Sequence, residues 1–309
     1  MRLNPLLALP LAACGPPDAP DQLAELCGYL YGHLMDPNPR ALEAGLDNLD
    51  AWLSRPAHLE STLEGYEISN LDATVLEEIE GEVPDLENLH GAAVATRGVD
   101  SVWDVAWTLV AVPPEDLSPD LYERYDREFL TDPECFLSLE CETLEVANAM
   151  SNNYPLGVLV STSNRGQYRW VDTERGLALV QRTWLTSPAK VNVSWLTVDD
   201  QYYLNVVLPD GEASLRLTAT WILATLLSSD VPEGVALSLV IDNMQSIYAD
   251  VDGWLAEHAD SGVPPAPEGG RCGCATRPLA GPWLVALVLG WVRRRSAPGR
   301  SRRPQQGER

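Results

Sequence analysis

The sequence predicts an α+β fold: N-terminal helices, then a curved antiparallel sheet packed on a long C-terminal helix. Three patterns predict it. Leucines recur at helical spacing within residues 21–80, and β-branched, apolar stretches separated by short turns fill residues 156–223. A mostly apolar stripe then repeats every three or four residues from Ala236 to His258.

The first helix opens at Asp21 and Gln22 and carries Leu23, Leu26, Leu30 and Leu34. Leu42, Leu46, Leu49 and Leu53 form one face of a second, and a third lies within Leu71–Ile79. "SVWDVAWTLVAV" (Ser101–Val112) stops at Pro113-Pro114 and reads as a strand, although a helix fits nearly as well. Ser118-Pro119-Asp120 supplies a capping serine, a proline at the first helical position and an acid in the first turn. A helix with Leu121, Tyr125 and Phe129 on its apolar face is expected there.

Six strands follow: "LGVLVSTS", "GQYRWVD", "GLALVQRTWL", "KVNVSWLTV", "QYYLNVVLP" and "ASLRLTATWIL". Turns are expected at Asn164-Arg165-Gly166, Glu174-Arg175-Gly176, Ser187-Pro188, Asp199-Asp200 and Pro209-Asp210-Gly211. Connections this short make an antiparallel meander. In the last strand Leu215, Leu217, Ala219 and Trp221 share one face, and Arg216, Thr218 and Thr220 the other. The closing helix carries Ala236, Val240, Asn243, Ile247, Val251, Trp254 and His258, and "ADSGVPPAPEGG" follows as a linker.

Helix, strand, helix, meander and long terminal helix, in that order over Gly91–Ala259, resembles the START-like helix-grip fold. The resemblance implies a sheet wrapped on the last helix, with a cavity between them for an apolar or lipid-like ligand. A lipocalin-like β-barrel is the alternative, but it accounts less well for so many helices. The expected organisation is an export signal (1–13), a tether (14–20), a helical region (21–90), the α+β sheet domain (91–259), a linker (260–271) and a C-terminal tail (272–309). The helical region is either a separate domain or a lid.

Charge separates the ends from the body. Of 45 acidic and 21 basic residues, only Glu308, Arg2 and eight arginines after Arg271 lie outside residues 15–271. That body therefore carries 44 acids against 12 bases, a net −32. Such a surface repels nucleic acid and anionic membranes and admits calcium or cationic partners. "DVDG" at Asp250–Gly253 is only a fragment of a calcium loop.

The N-terminus, "MRLNPLLALPLAACG", has the charge–apolar–small order of an export signal. Leu11-Ala12-Ala13-Cys14 resembles the lipobox of bacterial lipoproteins, which implies cleavage before Cys14 and its lipidation. Near the other end, Leu279–Val292 is a 14-residue, nearly all apolar run followed by Arg293-Arg294-Arg295. As a helix it would span about 21 Å, short of a hydrocarbon core of ~30 Å. Trp283 and Trp291 stand near its ends, as interfacial aromatics do. Cys272-Gly273-Cys274, apolar run and arginine cluster resemble the MYXO-CTERM sorting tail of myxobacterial surface proteins. The resemblance implies processing near Cys272 and Cys274, loss of the helix and display on the cell surface. Both ends place the body in the cell envelope, outside the cytoplasm.

An oxidising compartment permits disulfides. Cys135 and Cys141, in "CFLSLEC", are the favoured pair, although only a turn brings residues six apart close enough. Cys27 is then a buried free thiol. The pair has no nearby histidine, which disfavours a metal site.

No zinc-protease, nucleophile-elbow, phosphate-loop or dinucleotide motif is present, and His33, His58, His90 and His258 are scattered. The sequence implies no cofactor, and an enzyme is the minority reading. Arg182 and Arg216 sit mid-strand in a body with few bases, Arg182 on the face of Val180 and Trp184. A charge there must be paired or solvated. It belongs either to a salt bridge or to a cavity arginine holding an anionic head group. Trp170, Trp184, Trp195 and Trp221 are candidates to line the same pocket, or else core residues. The sequence thus favours an exported, surface-anchored protein binding an apolar or lipid-like ligand. The alternative is a non-catalytic surface interaction or structural protein meeting partners through its acidic face.

Overall fold

The computed structural model describes residues 18–81, 83–84, 86–154, 157–226, 235–258 and 262–267, which all fall in one compact unit. The export signal, Cys14, Cys272, Cys274 and the apolar run of the tail lie outside the described residues.

The leucine-rich start forms α1 (Leu23–His33) and α2 (Arg40–Leu53), and every leucine of both expected stripes is buried. Burying one such side chain stabilises by about 1.5–3 kcal/mol, so the two stripes seat the helices firmly. Short α3 (Pro56–Ser61) and β1 (Tyr66–Ile68) follow. In α4 (Ala73–Glu80) the Asp72 carboxylate accepts from Thr74 N at 2.8 Å, and Gly81 ends the helix at φ +80°, where other residues are strained. Strand β2 (His90–Gly98) leads to Ser101.

Ser101–Val112 is not a strand. It forms α5 (Val102–Ala111), because Ser101 and Asp104 make a reciprocal capping box and Val102, Val105, Ala106 and Val110 bury one helical face. After the single turn of α6 (Pro114–Leu117), the helix expected from Ser118 is replaced by β3 (Tyr122–Phe129). The Ser118 hydroxyl is engaged elsewhere, donating to Asp250 Oδ2 at 2.5 Å. The chain beyond it pairs with a neighbouring strand.

Helix α7 (Pro133–Leu137) holds Cys135 in a turn that closes through Leu139 at φ +61°, and Glu140 N and Cys141 N both donate to Cys135 O. This brings Cys135 and Cys141 to a Cα separation of 5.2 Å and forms the disulfide. Cross-linking so short a loop stabilises by about 2 kcal/mol. The Cys135→Ala/Cys141→Ala double variant should lower the urea midpoint accordingly, and reductant should shift the parent protein but not the variant. An unchanged midpoint would contradict this.

Strand β4 (Thr143–Tyr154) precedes β5 (Val158–Thr173), which runs straight through the turn expected at Asn164-Arg165-Gly166. Twelve residues of β4 pair continuously with β5 there, so the ladder holds the segment extended. Strand β6 (Gly176–Leu185) matches its expected bounds. "KVNVSWLTV" splits instead into β7 (Lys190–Val191), a turn at 192–195 and the start of β8 (Leu196–Asp210). Asp199-Asp200 is a bulge inside β8 rather than a turn. A hairpin at Gly211 (φ +68°) leads to β9 (Ala213–Leu226), and α8 (Val235–Glu257) closes the described body.

The strands form one open antiparallel sheet in the order β1-β2-β9-β8-β6-β5-β4-β3, with β7 beside β5. Its edges, β1 and β3, do not join, which removes the barrel alternative. The chain lays down β1 and β2, crosses by α5 and α6 to the far edge, and returns strand by strand until β9 lies beside β2. A curved antiparallel sheet with a C-terminal helix is thus observed, consistent with an α+β helix grip.

Helices cover both faces. On the outer face, leucines of α1 and α2 pack on Val180, Tyr202, Leu204, Leu217 and Trp221. On the inner face, α5, α7 and α8 pack on Leu144, Tyr168, Trp170, Leu179 and Val207. Among the α8 residues whose side chains are described, 241–257, the buried ones are Met244, Tyr248, Val251 and Leu255. From Asn243 onward, apart from Val251, the buried positions fall one residue after the expected stripe, with Asn243, Ile247 and Trp254 only partly buried.

Candidate functional site

The six expected ligand residues do not line one pocket. Arg182 lies on the outer face beneath α1, where Nη1 donates to Tyr31 O at 2.8 Å and Nε to Gln167 Oε1 at 2.9 Å. Arg169, diagonally across the ladder and opposite Val180, donates to Leu34 O and Asp36 O. Together the two arginines satisfy Tyr31 O in the last turn of α1 and the carbonyls of Leu34 and Asp36 just beyond it, where the helix dipole favours a cation. Burial pulls the Arg182 guanidinium below the usual arginine value, opposed by Tyr31 and by carboxylates such as Glu78.

Trp221 is also on the outer face, fully buried, its ring edge-on to Tyr31 and its Nε1 donating to Ser69 O at 2.8 Å. Trp184 is partly buried against the same core, 5.8 Å from the Arg182 guanidinium. It borders a surface groove of about 750 Å³ shared with Arg165, Gln167 and Asp199. Trp195 stands in the turn before β8.

Arg216 and Trp170 face inward. Trp170 stacks on Phe136 and Trp103, and its Nε1 donates to Phe136 O at 3.1 Å. With Trp103, Leu139 and Leu177 it lines an apolar groove of about 620 Å³, closed on one side by Ala266 and Pro267. Trp103 Nε1 donates to Pro264 O, so the linker's first prolines lie on the body.

Arg216 is 0% exposed, yet it is paired. Its Nη1 meets Asp252 Oδ1 of α8 at 2.5 Å, Nε donates to Ser214, and Nη2 stands 3.8 Å from Asp100 Oδ2. The guanidinium also lies 5.2 Å from the Tyr248 ring centre. Gly98 makes this fit possible, since a Cβ there would come within 2.2 Å of the guanidinium carbon. Burial and the neighbouring Asp252 push the Asp100 carboxyl above its usual range. Arg216 therefore ties β9 to the last helix.

Arg216 Nη2 and Asp100 Oδ2 have no hydrogen-bond partner, nor do Tyr202 OH and Arg169 Nε on the outer face, and a further group of such atoms lies elsewhere on the inner face. A ribbon of hydrogen bonds crosses it: Thr218 Oγ1 donates to Asn205 Oδ1 at 2.8 Å, and Asn205 Nδ2 to Gln181 Oε1 at 3.0 Å. Tyr168 continues the register beside Gln181, its phenol pushed up to about 12 by burial. On β4 and β5, Asn148 Nδ2 donates to Asn164 Oδ1 at 2.8 Å. Asn148 Oδ1, Asn152 Oδ1 and Thr162 Oγ1 are buried and have no hydrogen-bond partner. Arg127 of β3, in register with Asn148, donates through Nη1 to Leu109 O and Val110 O at the end of α5, while its Nε is buried and unpartnered. Tyr122 and Tyr125 meet edge-to-face beside it. Burial and neighbouring phenols raise the Tyr122 pKa, which keeps the hydroxyl protonated.

The sequence reading missed this cluster. Arg127 lies where the sequence predicts a helix, and the sequence predicts no element over Asn148 and Asn152. The alternation Leu144, Val146, Asn148, Met150, Asn152 in "TLEVANAMSNNY" carries the signal, because even positions share the inner face.

Cys27 is a buried free thiol in α1, its pKa raised by burial, and so poorly nucleophilic. Among the described residues no group of three or more His, Cys, Asp or Glu side chains could hold a metal ion. No described helix is long and apolar enough to cross a membrane.

No protein-family model matches the chain, and no curated protein does. Solved structures overlap part of it. A STAR-related lipid transfer protein from Xanthomonas axonopodis is 12% identical, with 56% of this chain and 97% of that one covered at a TM-score of 0.37. A START superfamily protein from Mycobacterium smegmatis is 9% identical, covering 54% and 97%, at 0.35. Ginseng major latex-like protein 151 from Panax ginseng is 12% identical, with the same two shares covered, at 0.33.

Proposed function

We propose that this is an exported, surface-anchored envelope protein that holds an apolar or amphipathic ligand between its sheet and its last helix. The observation that carries the binding role is the set of buried, unpartnered polar groups on β3, β4 and β5. Each such group costs about 1–3 kcal/mol if it stays unsatisfied, so the inner face gains by holding something that bonds to it. An apolar neighbourhood adjoins them. Val94, Leu185, Val198, Ile222 and Met244 form a cluster on the inner side, and Leu185 is in register with Asn164. The two chain ends support the location, the first by its export-signal order and the second by its sorting-tail resemblance. Cys14, Cys272 and Cys274 are the proposed processing and anchoring positions. The partners in this reading are a lipid-like ligand and the export and sorting machinery.

The test is native mass spectrometry of the protein purified from its own envelope. A ligand-sized adduct released on denaturation is expected, together with a mature chain shorter than 309 residues. A bare, full-length chain recovered from the cytosol would defeat the reading.

A further inference from the structure

We propose that the ligand presents a neutral, hydroxyl-bearing head to the β3–β4–β5 end of the inner face. This rests on the ligand-binding reading above and adds the chemistry of the head. Asn148 is 6% and Asn152 8% exposed, and both carry an oxygen with no partner. Thr162 Oγ1 and Arg127 Nε are in the same state. Register brings the four together: Arg127 opposes Asn148, Thr162 opposes Met150 between the two asparagines, and Asn152 opposes Val160. At about 3.3 Å per residue the two asparagines lie about 13 Å apart along β4, with Thr162 between them and Arg127 beside Asn148, so the four border one stretch of the inner face that a head with more than one hydroxyl can follow.

The chemistry of the set selects the head. Two asparagine oxygens accept, Arg127 Nε donates, and the threonine does either. A carboxylate or phosphate supplies only acceptors and would face two buried carbonyl oxygens; a hydrocarbon supplies nothing. A hydroxyl both donates and accepts. Turning over the Asn148 and Asn164 amides together exchanges acceptor for donor at Asn148, and a hydroxyl still fits. The charge on Arg127 does not require an anion. Its Nη1 sits on the last carbonyls of α5, where the helix carries roughly half a negative charge. The apolar remainder of the ligand then lies along Met150 and the Leu185–Met244 cluster.

Three probes with one alkyl chain separate the cases: monopalmitoylglycerol, palmitate and hexadecane, each delivered from cyclodextrin to the delipidated full chain. Monopalmitoylglycerol is expected to bind at least about tenfold more tightly than either other probe, one hydrogen bond being worth roughly that. Asn152→Leu should remove about tenfold of that affinity and leave hexadecane unchanged or tighter. Thr162→Val, at a half-buried position, is the second variant and should act in the same direction. Palmitate as the tightest probe would overturn the proposal in favour of an anion site. Equal affinities would overturn it while leaving ligand binding intact. The head of any co-purified ligand is a second readout: a neutral hydroxylated head supports the proposal, and an acidic or absent head overturns it. If no probe binds and nothing co-purifies, the ligand-binding reading falls as well.

Discussion

Removing both carboxylates from Arg216, with Asp100→Asn and Asp252→Asn together, is expected to cost about 3–5 kcal/mol of stability. The guanidinium is wholly buried, whereas Asp252 and Asp100 have side chains 37% and 23% exposed. The two directions of substitution therefore differ. Without its carboxylates the cation stays in a dry site that cannot hydrate it. Arg216→Met instead removes the charge, fills the space and leaves two carboxylates that already reach water. It should cost less than the double asparagine variant, which urea unfolding followed by tryptophan fluorescence will measure. The reverse ranking would mean that water reaches the guanidinium and that β9 is joined to α8 by packing alone. Asp252 lies on α8 and Asp100 before α5, so both inner-face helices should loosen together, with faster hydrogen exchange in each.

The second large effect is expected at Trp221, where alanine should cost about 3–5 kcal/mol. Its ring fills the junction of β9 with Tyr31 of α1, and its indole N–H holds Ser69 O. Truncation opens a cavity between sheet and helices and leaves that carbonyl without its donor. Trp221→Phe keeps most of the volume and should lose less. Ligand occupancy per folded molecule should not change in either variant, because Trp221 faces away from α8. A Trp221→Ala protein that kept its stability and lost its ligand would move the binding site to the outer face.

These two residues mark where sequence reasoning succeeds and where it stops. Alternation placed Arg216 and Trp221 on opposite faces of one strand, and the structure agrees. It could not tell that Arg182 faces α1 while Arg216 faces α8. A sheet with one wet face labels its sides by polarity, but here both faces are covered by helices, so both read as apolar with isolated polar positions. The segment at Ser101–Val112 failed for a different reason. Its β-branched residues argued for a strand, and one capping box with a buried helical face outweighed them.

The sequence by itself determined the elements whose pattern is long and local. These are the leucine stripes of α1 and α2, the span of β6, the hairpin at Gly211 and the existence of a final long helix. It also supplied the pairing of Cys135 with Cys141. Only the tertiary structure decided which arginine meets which partner, and that Arg127, Asn148, Asn152 and Thr162 border one stretch of the inner face. Those contacts join positions far apart in the chain, and cross-strand register is set by the whole sheet. Local periodicity is blind to it.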